Sequence, residues 1–195
     1  LAEKLMHADI ERVVIARFAE RIRIDISTGR PAVVIGRKGA EKEKLVGELM
    51  DLLKQKVDVH IVEVAVPQAS AQIIAQAVRR QIEGRVAFRR AMKQTITAAR
   101  AKGVKGVKIQ CGGRLGGSDI ARSEFYKEGQ LPLATLRAKV DFGFVEAITK
   151  YGKIGIKAWV YKGDVFDTDT VDTAPKLLRP RRRGGRDRDG ARESE

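Results

Sequence analysis

The sequence predicts an α+β fold in two units, and three observations predict it. Strand-like alternation and helix-like spacing are interleaved from the start of the chain. A Gly-x-x-Gly turn at Gly36–Gly39 joins two helical patterns, and a second set of strands begins only after a long helical stretch over about residues 70–101.

A short helix is expected over residues 2–8. Residues 11–18 are rich in β-branched side chains, and residues 20–27 place Ile22, Ile24 and Ile26 on one face with Arg21, Arg23 and Asp25 on the other, the pattern of a half-buried strand. These two segments read as paired strands. After Thr28-Gly29-Arg30-Pro31 a short apolar helix runs into the Gly36–Gly39 turn. Residues 40–55 then carry Leu45, Leu49, Leu52 and Leu53 at helical spacing, and Val57, Val59 and Ile61 resume the period of two. Ile74, Val78 and Ile82 mark an amphipathic helix over 70–83, Gly84 interrupts it as the expected domain boundary, and a second helix follows from Arg85 to Ala101.

Strands are then expected at Val104–Cys111, Ala121–Lys127, Leu136–Thr149 and Ile154–Lys162, the last two joined by a hairpin turn at Lys150-Tyr151-Gly152-Lys153. This gives a first unit over 1–66, a connecting helix over 67–84, a second α+β unit over 85–166 with a mainly antiparallel sheet, and a charged tail over 167–195. The tail has no periodicity and ends in an arginine-rich run that cannot bury a core, so disorder is expected there.

With 195 residues and 43% hydrophobic content the chain can form real cores. Its 39 basic and 25 acidic residues leave a net charge of +14, and a field of that sign attracts polyanions, nucleic acid first. No apolar run reaches the roughly 18 residues of a membrane span, and nothing at the start resembles a signal peptide. A soluble protein with no membrane partner is expected. The single cysteine, Cys111, excludes an internal disulfide and, with only His7 and His60, a Cys/His zinc site. That usage fits a reducing cytoplasm.

Two constellations point to nucleic acid. In Gly36-Arg37-Lys38-Gly39 the glycines let a phosphodiester approach the main chain, while N–H groups at the next helix start and the two cations attract phosphate. Between Arg79 and Lys108 there are ten cations and one acid, Glu83, a balance of +9. On a helix Arg89, Arg90, Lys93 and Arg100 crowd one side, with Val86, Met92, Ile96 and Ala99 free to pack behind. Unpaired like charges at this spacing are mildly destabilising, which favours a polyanion-binding face over a merely solvated one.

The glycine-rich Cys111–Asp119 segment lacks the Gly-Lys-Ser/Thr of a P-loop and reads as a tight turn leaving a strand, with Arg114 and Arg122 reaching an RNA backbone. Asp119, Glu124 and Glu128 could hold a divalent metal for nuclease chemistry, but carboxylates beside arginines are more often salt-bridged surface. Phe125, Tyr126, Phe142, Phe144, Trp159 and Tyr161 all fall on expected strands, where core packing is the first explanation.

The order of elements around Val33–Glu41 resembles a type II KH domain. Four further motifs, Glu83–Lys93, Gly113–Arg122, Leu131–Ala138 and Tyr151–Trp159, resemble the bacterial family of the third protein of the small ribosomal subunit, and the likeness runs from residue 1 to about 166. The resemblance implies a non-enzymatic RNA-binding protein of the cytoplasmic ribosome, with no cofactor, no metal and no small-molecule substrate. Its implied partners are small-subunit ribosomal RNA, messenger RNA, the tenth and fourteenth small-subunit proteins in the head, and the fourth and fifth around the channel through which messenger enters. By the same resemblance Arg89, Arg90 and Lys93 face messenger and help open its secondary structure. The resemblance implies a basic N-terminal arm ahead of the KH unit, which this sequence does not show, and the arginine-rich tail aligns with none of the family motifs above. Two other readings are a free-standing KH-type single-strand binder and a metal-dependent nuclease acting on damaged DNA.

Overall fold

Alternation of isoleucines builds the first unit. The computed structural model describes residues 5–19 and 21–166, so the first three residues of the helix expected over 2–8 and all of the tail lie outside the described residues; within them Met6–Ala8 form one 3₁₀ turn. Strand β1 (Ile10–Arg17) pairs antiparallel with β2 (Arg21–Thr28), which pairs in parallel with β3 (Lys56–Glu63). The parallel pair needs a crossover, supplied by α1 (Pro31–Ile35), the Gly-x-x-Gly turn and α2 (Ala40–Leu53). Ile22, Ile24 and Ile26 pack with Val57, Val59 and Leu45 in one core. Burying each large aliphatic side chain contributes about 1.5–3 kcal/mol. Helix α2 is less covered than its leucine spacing implies, because Leu52 is 78% exposed and Leu53 39% at its last turn.

The second unit is a four-stranded antiparallel sheet in the order β5-β4-β7-β6, formed by β4 (Gly106–Gly113), β5 (Arg122–Gly129), β6 (Ala138–Thr149) and β7 (Gly152–Asp164). Helices α3 (Ala71–Glu83) and α4 (Phe88–Ala101) cover one face. The two-unit α+β architecture and the antiparallel second sheet agree with the sequence reading.

Three expectations need correction. The helix expected to be a connector, α3, buries Ala71, Ile74, Ala75, Val78 and Ile82 in the same core as Met92 and Ile96 of α4 and Ile109, Ile156 and Val160 of the sheet. Gly84 is therefore a turn inside the second unit, not a boundary. The close fit has a visible cause: a Cβ added to Gly143 of β6 would lie 2.6 Å from the backbone of Ala71, so only glycine lets α3 sit this near the strand. Helix α4 starts at Phe88, later than expected, because Arg85 adopts φ 63° and the chain turns before re-entering a helix; Val86 is left 36% exposed.

The aromatic residues are the third correction. Tyr161 is buried, but Phe125, Phe142 and Phe144 are 61%, 53% and 46% exposed. Register explains it, since residues paired across an antiparallel ladder share a face. Tyr126, Ile109, Ala158 and Gly143 align toward the helices, whereas two outward rows run Lys127, Lys108, Trp159, Phe142 and Phe125, Gln110, Lys157, Phe144. On that bare face the Lys108 ammonium lies 4.9 Å from the Phe125 ring centre and 5.0 Å from that of Trp159.

Candidate nucleic-acid interface

The Gly-x-x-Gly turn forms where α1 stops. The Gly36 amide donates to the carbonyl of Ala32 at 3.0 Å and closes the helix, and Gly36 takes φ 70°. A Cβ there would meet the Glu41 side chain at 2.5 Å, so conformation and space both require glycine. Gly39 has φ 86° with open space around it. Arg37 between them is exposed, with no partner among the described residues.

The second cluster is organised by one carboxylate. Arg89 of α4 donates from Nε and Nη2 to both oxygens of Glu124 at 3.0 Å, and Arg122, two residues before Glu124 on the same strand face, donates to it at 3.0 Å as well. These hydrogen bonds, Arg89 first and Arg122 second, pull the Glu124 carboxyl down from 4.5 to about 2. The same bond to Glu124 raises the Arg89 guanidinium. Lys93 lies one turn further along α4, its ammonium 5.3 Å from the Tyr126 ring centre. Arg90 is exposed and has no partner among the described residues. Arg89, Arg90, Lys93 and Arg122 therefore share a single acid and leave an uncompensated balance of about +3 on this face.

Arg100 and Arg114 do different work. Arg100 donates to the carbonyls of Val104 and Lys105 at 2.9 and 3.0 Å, tying down the chain after α4. Arg114 donates to the Ser118 carbonyl and to Asp119, both at 2.9 Å, and closes the glycine-rich loop. Arg122 also donates to the Ser118 hydroxyl at 3.1 Å, which joins that loop to the basic cluster. Asp119 and Glu124, considered above as metal ligands, are thus both held by arginines. Sequence reasoning did not find the organising role of Glu124; the signal was the Arg122–Glu124 spacing of two on one strand.

Glu124→Gln should release Arg89 and Arg122 and tighten binding to single-stranded RNA. Each additional phosphate contact should steepen the log-log salt dependence by about 0.7. Binding isotherms at several salt concentrations check this, with an unchanged slope counting against it. Because the folded value of the carboxyl is lowered, its stabilising contribution is complete above 4.5 and fades as pH falls toward about 2. In the Gln variant that acid-sensitive part of the stability should be gone.

A model of the KH domain matches residues 1–69, and a model of the ribosomal protein S3 C-terminal domain matches residues 78–160. The chain is 51% identical over 166 residues to the small ribosomal subunit protein uS3 of Pelotomaculum thermopropionicum, covering 85% of this chain and 72% of that one. It is 52% identical over 167 residues to the protein of that name from Clostridium novyi, with coverage of 85% and 76%. With that of Campylobacter hominis it shares 49% over 188 residues, or 94% and 81% of the two chains. The chain belongs to the small ribosomal subunit protein uS3 family.

Proposed function

We propose that this protein, a non-catalytic constituent of the small ribosomal subunit, binds ribosomal RNA in the subunit head and offers Arg89, Arg90 and Lys93 to incoming messenger. The observation that carries the reading is the exposed, under-neutralised face of α4, held rigid from behind by Ala91, Met92, Thr95, Ile96 and Ala99, all buried. A cationic face of this kind grips separated strands by their phosphates while translocation supplies the work, so no motor or catalytic group is needed. Gly36–Gly39, with Arg37 and Lys38, is the second RNA-binding element, and Arg100, Arg114 and Arg122 support the basic cluster. The fourth and fifth small-subunit proteins complete the messenger channel around α4. The bare aromatic face of the second sheet supports contact with the tenth and fourteenth proteins of the head, because exposed apolar patches of this kind mark protein interfaces.

Sedimentation of the tagged protein through a high-salt gradient tests the assignment. Stoichiometric migration with small subunits is expected, and recovery only at the top of the gradient overturns it. Two substitutions probe its parts. Arg37→Asp with Lys38→Asp should weaken single-strand RNA binding while changing stability by about 0.5 kcal/mol or less, since Arg37 is exposed and the two residues sit in a turn outside any core; a sharp fall in melting temperature would make the loop structural. Phe142→Ser with Phe144→Ser should leave the fold intact, since both rings face water, yet lower retention in the subunit during salt washing.

A further inference from the structure

The two RNA-binding elements sit in different units, and a single buried carboxylate stands between them. Asp9 is 4% exposed, at φ 52°, just before β1. Its carboxylate is paired with Arg30 at 2.9 Å on one side and with Arg80 on the other. Arg30 is the residue immediately ahead of α1, the helix that ends in the Gly36–Gly39 turn. Arg80 lies on α3, which packs beside α4 in the second core. Around this knot the Asp9 carbonyl accepts from the Gly29 amide at 3.0 Å, and Gln76 of α3 donates to the Ile10 carbonyl at 2.8 Å.

We infer that Asp9 is a positioning residue that fixes the angle between the Gly-x-x-Gly turn and the basic face of α4, so that one RNA engages both together. This rests on the RNA-binding reading of those two elements. The chemistry fits the task. A carboxylate removed from water holds arginines in a defined geometry far better than an exposed one, because it has no competing hydration and is little screened by salt. Two cations on one acid also leave the junction slightly positive, which suits a molecule lying beside RNA. Surfaces held at a fixed spacing act as linked binding modules, and linkage raises affinity for a ligand that spans both without changing affinity for one that reaches a single surface.

The test uses the full chain with Asp9→Asn, and separately Arg80→Gln, which leaves the Asp9–Arg30 pair of the first unit in place. Nitroxide labels go on cysteines introduced at the exposed positions Asp51 of α2 and Ser123 of β5. Native Cys111 stays unlabelled, being fully buried with its thiol pushed up to about 12, chiefly by burial. The parent should give one narrow distance distribution, and both variants a broadened one. Binding of a short oligouridylate that reaches one surface should be unchanged, while that of a long one spanning both should fall by about tenfold, a part of the roughly hundredfold or more that linkage supplies. Distributions as narrow as the parent's, or equal losses on the short and long strands, overturn the inference. If the parent binds both strands equally, the two-surface reading itself fails, and the label distances still decide whether Asp9 sets the angle.

Discussion

Replacing Arg89, Arg90 and Lys93 together with alanine is expected to leave small-subunit assembly intact and to slow translation of messengers with stable hairpins several-fold, while unstructured messengers run at the parent rate. The side chains are on the outer face of α4, and alanine is the strongest helix former, so the helix and the core behind it survive. Arg122 keeps its bond to Glu124, so the strand beneath does not acquire an unpaired carboxylate. Each lost phosphate contact should also reduce the log-log salt dependence of single-strand binding by about 0.7. Ribosome transit times on matched structured and unstructured messengers decide the matter. Equal slowing on both would reduce the face to general RNA affinity, and failure to assemble would place these residues against ribosomal RNA.

Gly143→Val is expected to have the largest effect on folding. Its Cβ would fall 2.6 Å from the Ala71 backbone, and backbone cannot swing aside as a flexible side chain does. Either α3 lifts off the sheet or β6 bends. Overpacking of this severity costs about 3 kcal/mol, and the helix at risk carries Ile74, Val78 and Ile82 of the core. Denaturant unfolding should show the loss as a lower midpoint, and a midpoint equal to the parent's would mean that α3 docks less tightly than its contacts indicate. Leu52→Ala makes a useful contrast, because that side chain is 78% exposed and little should change.

These two sites differ in how much of them was legible in the sequence. The period of two at Ile22, Ile24 and Ile26, the turn at Gly36–Gly39 and the cationic spacing of Arg89, Arg90 and Lys93 are local patterns, and each led to the correct element. Gly143 is not local: its close contact comes from a helix 72 positions earlier in the chain, and no window of sequence contains both. The Asp9–Arg80 pair is likewise separated by 71 positions. The aromatics were misread for a different reason. Strand β6 is apolar on both faces, with Phe142 and Phe144 on one and Val145 and Ala147 near or in the core on the other, so alternation could not say which face the helices cover. The role of α3 was missed because an amphipathic helix announces that it has an apolar face without naming the sheet that receives it.

The bare face of the second sheet bears on how the free protein behaves before it meets a subunit. The β6 edge is capped by Gln72 and Glu83 of α3, which bond the backbone of Phe144 and Ile148. A copy waiting for a subunit nonetheless keeps three phenylalanine rings in water beside the open edge of β5, a combination that invites self-association. Colloidal repulsion from the net charge of +14 opposes it. That repulsion is long-ranged and fades as ionic strength rises, whereas apolar attraction does not. Free chains are therefore protected from self-association only while their charge is unscreened and unneutralised, and the protection weakens as salt rises.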